Sequence, residues 1–96
     1  MNTPEIIQKH VIVTGRVQGV FFRAATKDEA EKYMITGWVR NKRNGTVESV
    51  IKGNKKNIAH MIQWFHRGSP ASSVDKVIVD DQDDLSDFAD FKIRYR

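Results

Sequence analysis

The chain contains no cysteine. That absence excludes thiol catalysis, disulfide cross-links, zinc–thiolate sites and iron–sulfur clusters. It suits a reducing cytosol, so a cytoplasmic location is expected. Long apolar runs are also missing, and no stretch reaches the ~20 residues a membrane helix needs. The opening segment MNTPEIIQKH holds no apolar core of a secretory signal. No repeat, linker or low-complexity tract divides the chain. Its 96 residues, 40% of them hydrophobic, can bury one core but not two. We expect a short tail over residues 1–8 and one domain over residues 9–96.

Charge is present but uneven. The net charge is +4, yet the stretch Asp80 to Asp90 holds six aspartates and no base, which leaves +10 on the rest. A basic body favours an anionic partner, whether nucleic acid or a phosphate ester. The aspartates lack the loop pattern and closing glutamate of an EF-hand, so a solvated connection between strands is expected. His60 and His66 are six residues apart and do not share a helix face, and His10 begins a strand. No metal site and no cofactor are expected.

The hydrophobic pattern orders the elements. Val11, Ile12 and Val13 form a β-branched strand that runs into Gly15. Phe22 to Met34 has helical spacing and helix-forming residues. Two strands flank Asn44-Gly45, the pair that tolerates the positive φ angles of a tight hairpin. Asn54 is placed to cap a second helix, whose apolar residues Ile58, Met61, Ile62 and Phe65 recur at helical intervals before Gly68 stops it. SVDKVIVD reads as a strand. FKIRYR alternates, with Phe91, Ile93 and Tyr95 on one face and Lys92, Arg94 and Arg96 on the other. The order β-α-β-β-α-β is the split βαβ, ferredoxin-like pattern of the α+β class. It predicts an antiparallel sheet with two helices on one face and a short C-terminal edge strand.

The segment GRVQGVFFR, residues 15 to 23, joins the first strand to the first helix. Gly15 and Gly19 permit crowded or left-handed backbone. Successive N–H groups of such a loop can point inward and hold an anion, and the following helix start favours negative charge. Arg23 falls in the first helical turn, where a cation opposes the helix dipole unless an anion lies between. Its planar fork can grip two phosphate oxygens. The plain alternative is a glycine turn with a solvated arginine. The segment is neither a Walker A loop, having no Gly-Lys-Ser/Thr, nor G-x-G-x-x-G. A second segment, GWVRNKRNGTVE, places Asn41 on the strand before the hairpin, where its neutral amide could hold a water beside the loop.

GRVQGVFFR followed by GWVRNKRNGTVE resembles the acylphosphatase family in both motifs and their spacing. The likeness runs from about His10 to Tyr95 and includes GSPASSVDKV and FKIRY. It implies metal-free hydrolysis of a carboxyl–phosphate anhydride. It implies that Arg23 binds the phosphate and that Asn41 orients the attacking water. The same resemblance gives the backbone amides of Val17, Gln18, Gly19, Val20, Phe21 and Phe22 the phosphoryl oxygens to cradle. Ser69 replaces the first proline of the family's Gly-Pro-Pro stretch, a change expected to have no catalytic consequence. Arg16 is expected to face solvent or to steer anions.

Two other classes of function fit the fold. A non-catalytic phosphate or acyl-phosphate sensor could use the same loop. An RNA-recognition motif would stack bases on aromatics of its central strands, and HVIVTG and TVESVIKG carry none. The reading is therefore a monomer acting on a small acyl phosphate, with no nucleic-acid or membrane partner.

Overall fold

The computed structural model describes residues 5–95. Seven elements follow one another: β1 (Ile6–Arg16), α1 (Phe22–Lys32), β2 (Thr36–Asn41), β3 (Val47–Asn54), α2 (Lys55–Arg67), β4 (Ser73–Gln82) and β5 (Phe91–Arg94). The sheet order is β4-β1-β3-β2-β5. This is the ferredoxin-like α+β architecture that the sequence pattern predicts. Among the described residues no helix is long and apolar enough to cross a membrane.

Residue alternation sorts the sheet into two faces. Val11, Val13, Val39, Val47 and Ile51 are buried and lie on one face through the pairings Val13↔Val47, Val11↔Ser49, Val39↔Ser49 and Ile51↔Gly37. They meet Phe22 and Ala30 of α1 and Ile58, Met61 and Phe65 of α2 in a single core. Phe22 lies at the centre of an aromatic group, 5.6 Å from Trp64 and 6.3 Å from Phe65 between ring centroids. Asn54 caps α2 by accepting from the Asn57 N–H at 2.8 Å, and Gly68 ends it with a φ of 73°. The hairpin at Asn44-Gly45 closes with Lys42 N–H donating to Thr46 O at 2.9 Å.

Four expectations change in detail. The sheet is antiparallel across its first four strands, but β5 runs parallel to β2. The reason is the path of the chain: β4 is one edge and β5 the other, so residues 83–90 carry the chain across the sheet. That crossing is held where Lys52 Nζ donates to Ser86 O at 2.6 Å and Ser86 N–H donates to Gln8 Oε1 at 2.8 Å. The acidic stretch is not all connection, since Asp80, Asp81 and Gln82 complete β4, where Lys9 pairs with Asp81. The segment expected to be a tail contributes Ile6, Ile7 and Gln8 to β1, and residues 1–4 lie outside the described residues. Finally, α1 ends at Lys32, and Met34 takes a left-handed φ of 53°. Arg96, expected on the outward face of β5, also lies outside the described residues.

The second face of the sheet carries a polar network. Glu48 accepts from Arg40 Nε at 2.5 Å and lies 2.6 Å from His10 Nε2. Burial pushes the Glu48 carboxyl up. Hydrogen bonds from His10 and Arg40, with their charges, outweigh that and hold it below its ordinary range. A carboxylate depressed in the folded state adds stability above its unfolded pKa and loses it as pH falls through the folded value. Glu48→Gln is therefore expected to cost about 1–2 kcal/mol at pH 7. The gap to the parent protein should close as the solution is acidified below the ordinary glutamate value of about 4.3. Urea unfolding across pH checks this, and a gap that persists into acid contradicts it.

Candidate active site

Residues 17–21 link β1 to α1. Val17 and Val20 are buried in the core, as is Phe22 just after them. These apolar side chains point down and pin the backbone from below. Between them the chain bends sharply: Gly19 has a φ of 73° and Phe21 a φ of 58°, with Val20 at negative φ between the two. Left-handed backbone suits glycine, but on phenylalanine it costs roughly 1–2 kcal/mol. The Phe21 side chain is 85% exposed, so its own burial does not offset that cost. The buried neighbours hold the conformation.

Such alternation of backbone hand makes a concave nest of N–H groups. Beyond Val17, among the described residues, the first main-chain N–H that finds a backbone acceptor is that of Ala25, which donates to Phe21 O at 3.0 Å. α1 begins with no side-chain cap and no acidic residue in its first turn. Its N–H groups and the positive end of its dipole therefore face the loop unneutralised. Arg23, half-buried in this first turn, has no carboxylate partner among the described residues. Its guanidinium lies instead over the ring of Tyr95, 5.0 Å from the centroid.

Asn41 reaches the same place from the sheet. It ends β2 two residues after Val39 and so shares the helix-facing side. Its Oδ1 is buried and meets no donor among the described residues. A buried acceptor without a donor costs about 1–3 kcal/mol unless something else donates to it. Val17, Gly19, Phe21, Phe22, Arg23 and Asn41 all line one cavity of about 260 Å³, and Tyr95 and Ile93 close its side.

The remaining residues singled out in the sequence do not line that cavity. Gly15 is not in the cradle. It belongs to β1, at a bulge in the pairing with β4, and has a φ of 121°. A Cβ there would sit 2.2 Å from the Ser73 carbonyl oxygen, so its glycine serves the close approach of two strands. Gln18 acts through its side chain: Nε2 donates to Lys42 O at 2.7 Å and to Thr46 O at 2.8 Å, tying the loop to the β2–β3 hairpin. The Val20 side chain is core, while its carbonyl accepts from Ser69 Oγ at 3.0 Å. Arg16 is exposed, as expected.

Sequence reasoning therefore missed two parts of the site. Ser69 lies 49 residues from Val20 in sequence, yet it is buried against the loop. Tyr95 was placed only by the alternation of β5, which gives a face but no neighbour. A small hydroxyl residue just after a glycine helix stop gives no signal of its target.

Fold and site together define a class: a ferredoxin-like α+β domain whose first strand–helix loop and uncapped helix start share a cavity with an arginine and a neutral amide. The family model for acylphosphatase matches residues 9–93, and the chain belongs to the acylphosphatase family. It is 43% identical over 86 residues to an acylphosphatase of Pelotomaculum thermopropionicum, covering 90% of this chain and 94% of that one. Its structure matches an acylphosphatase from Coxiella burnetii with a TM-score of 0.91 at 35% identity, over 98% of this chain and 100% of that one. It matches an acylphosphatase from Bacillus subtilis with a TM-score of 0.90 at 36% identity, over 93% and 99% of the two chains.

The Ser69–Val20 bond sets a test of how the loop is held. Losing one hydrogen bond of about 0.5–1.5 kcal/mol corresponds to about a two- to tenfold change in an equilibrium constant. Ser69→Ala should weaken binding of inorganic phosphate by that factor, with a smaller change on Ser69→Thr. Calorimetric titration of phosphate measures it, and an unchanged affinity in Ser69→Ala contradicts the brace.

Proposed function

We propose that this protein hydrolyses the carboxyl–phosphate bond of small acyl phosphates to a carboxylate and inorganic phosphate, without a metal. One observation carries the reading. Asn41, whose Oδ1 is buried and finds no donor among the described residues, lines the same cavity as Arg23 and the uncapped start of α1. Family membership supports it.

The chemistry asks little of the protein. A carboxylate is a good leaving group and departs without help from a general acid. What remains is positioning and charge stabilisation, which dominate phosphoryl transfer. In this reading the Arg23 fork and the loop N–H groups bind the phosphoryl oxygens. The neutral amide of Asn41 hydrogen-bonds the attacking water and turns its lone pair toward phosphorus. The water oxygen bonds to phosphorus as the bond to the carboxyl oxygen breaks. The carboxylate leaves with that electron pair, and a phosphoryl oxygen of the substrate takes the water proton. Arg23 and Asn41 are thus the catalytic residues, and residues 17–22 supply the cradle.

All these groups come from one chain, so we take the working unit to be a monomer. The lack of cysteine and the small anionic substrate fit the cytoplasm. Neither nucleic acid nor membrane has a place in the scheme.

Release of inorganic phosphate from benzoyl phosphate, in the presence of EDTA, tests the proposal. Asn41→Ala should lower turnover by about 10²–10³, in line with the loss of one oriented polar group at a reacting centre. Arg23→Lys keeps the charge but loses the fork, and should also lose most activity with the fold intact. Abolition of activity by EDTA would sink the metal-free mechanism, and near-normal turnover in Asn41→Ala would remove its role.

A further inference from the structure

Asn41 lines the cavity from the sheet side, and its Oδ1 is buried. At the rim stand two aromatic side chains that the mechanism above leaves unused, Phe21 at 85% exposure and Tyr95 at 77%. Both line the cavity, together with the half-buried Ile93. The two come from different ends of the chain, one from the start of α1 and one just after β5.

Phe21 is the odd residue. It holds a left-handed backbone that glycine would take without strain, and its ring gains almost nothing from burial. A large apolar ring held out in water at a strained position, beside a polar cradle, gains burial only when something covers it. In-line displacement settles what that would be. The leaving group departs on the side of phosphorus opposite the attacking water. With water held at Asn41 on the sheet side, the acyl group points toward the exposed rings at the rim.

We propose that Phe21 and Tyr95 form the acyl subsite, and that the preferred substrates are acyl phosphates whose acyl group is flat and apolar, aromatic ones above all. This rests on the hydrolytic reading. The phosphoryl end is gripped by charge and the acyl end is stacked between rings. Aromatic contacts favour offset or edge-on packing against a planar group. Tyr95 also lies over Arg23, so the wall that meets the acyl group continues the one that orients the fork.

The test compares benzoyl, cyclohexanecarbonyl and acetyl phosphate on one enzyme and its Phe21→Ala and Phe21→Tyr variants. The readout is the ratio of kcat/KM for benzoyl to that for acetyl phosphate, so that loss of loop shape, common to both substrates, cancels. The parent protein should favour benzoyl over both others. Phe21→Ala should lower the ratio by about three- to tenfold, mainly through KM, and Phe21→Tyr should restore it. An equal loss on all substrates would mean that Phe21 acts only through loop shape, and would overturn the subsite while leaving hydrolysis standing. A parent protein with no benzoyl preference would do the same. Failure to hydrolyse any of the three would overturn the hydrolytic reading and the subsite with it.

Discussion

The site depends on a contest between a strained backbone and the core beneath it. Gly19 and Phe21 bend the loop with positive φ, and Phe21 pays for this with roughly 1–2 kcal/mol of strain. Opposing that strain are three apolar side chains set in the core around the bend, Val17, Val20 and Phe22. Each fully buried side chain of this kind contributes about 1.5–3 kcal/mol. The anchors win. The loop therefore keeps its curved form, and its N–H groups stay available without a ligand to shape them. Preorganisation of this sort matters because dipoles already in place cost no reorganisation during reaction.

Around that loop the chain adds braces from three directions. The Gln18 side chain ties it to the β2–β3 hairpin, next to Asn41. Ser69 ties it to the turn after α2. Tyr95 covers Arg23 from the end of β5. The edge strand matters for this reason: its parallel pairing with β2 places Ile93 and Tyr95 beside the cavity. The acidic crossing from β4 to β5 is what delivers the chain to that edge.

Much of this was legible in sequence, and the limits have a physical pattern. Local signals held. Asn54 caps α2, Gly68 ends it and Asn44-Gly45 turns the hairpin, because each depends on a few adjacent residues. The two faces of β5 also followed from alternation. What could not be read was where a side chain lands after folding. Gly15 has the same identity as Gly19, yet one relieves contact between two strands and the other shapes the loop. Gln18 could be placed in the loop, but the reach of its amide to two carbonyls of the hairpin could not. Ser69 and Tyr95 join the site only through tertiary packing, and no local pattern marks either. The direction of β5 depended on the path of residues 83–90, which alternation does not specify.

The central claim is that residues 17–23 form a ready anion cradle at the start of α1. Titrating the protein with inorganic phosphate while following backbone amide chemical shifts tests it most directly. The account predicts saturable shifts concentrated at the N–H groups of Gly19 to Arg23, with the Arg23 side-chain signals moving in step, and their loss in Arg23→Ala. Shifts that scatter over the basic surface without saturating, or that leave Gly19 to Arg23 unmoved, would contradict it.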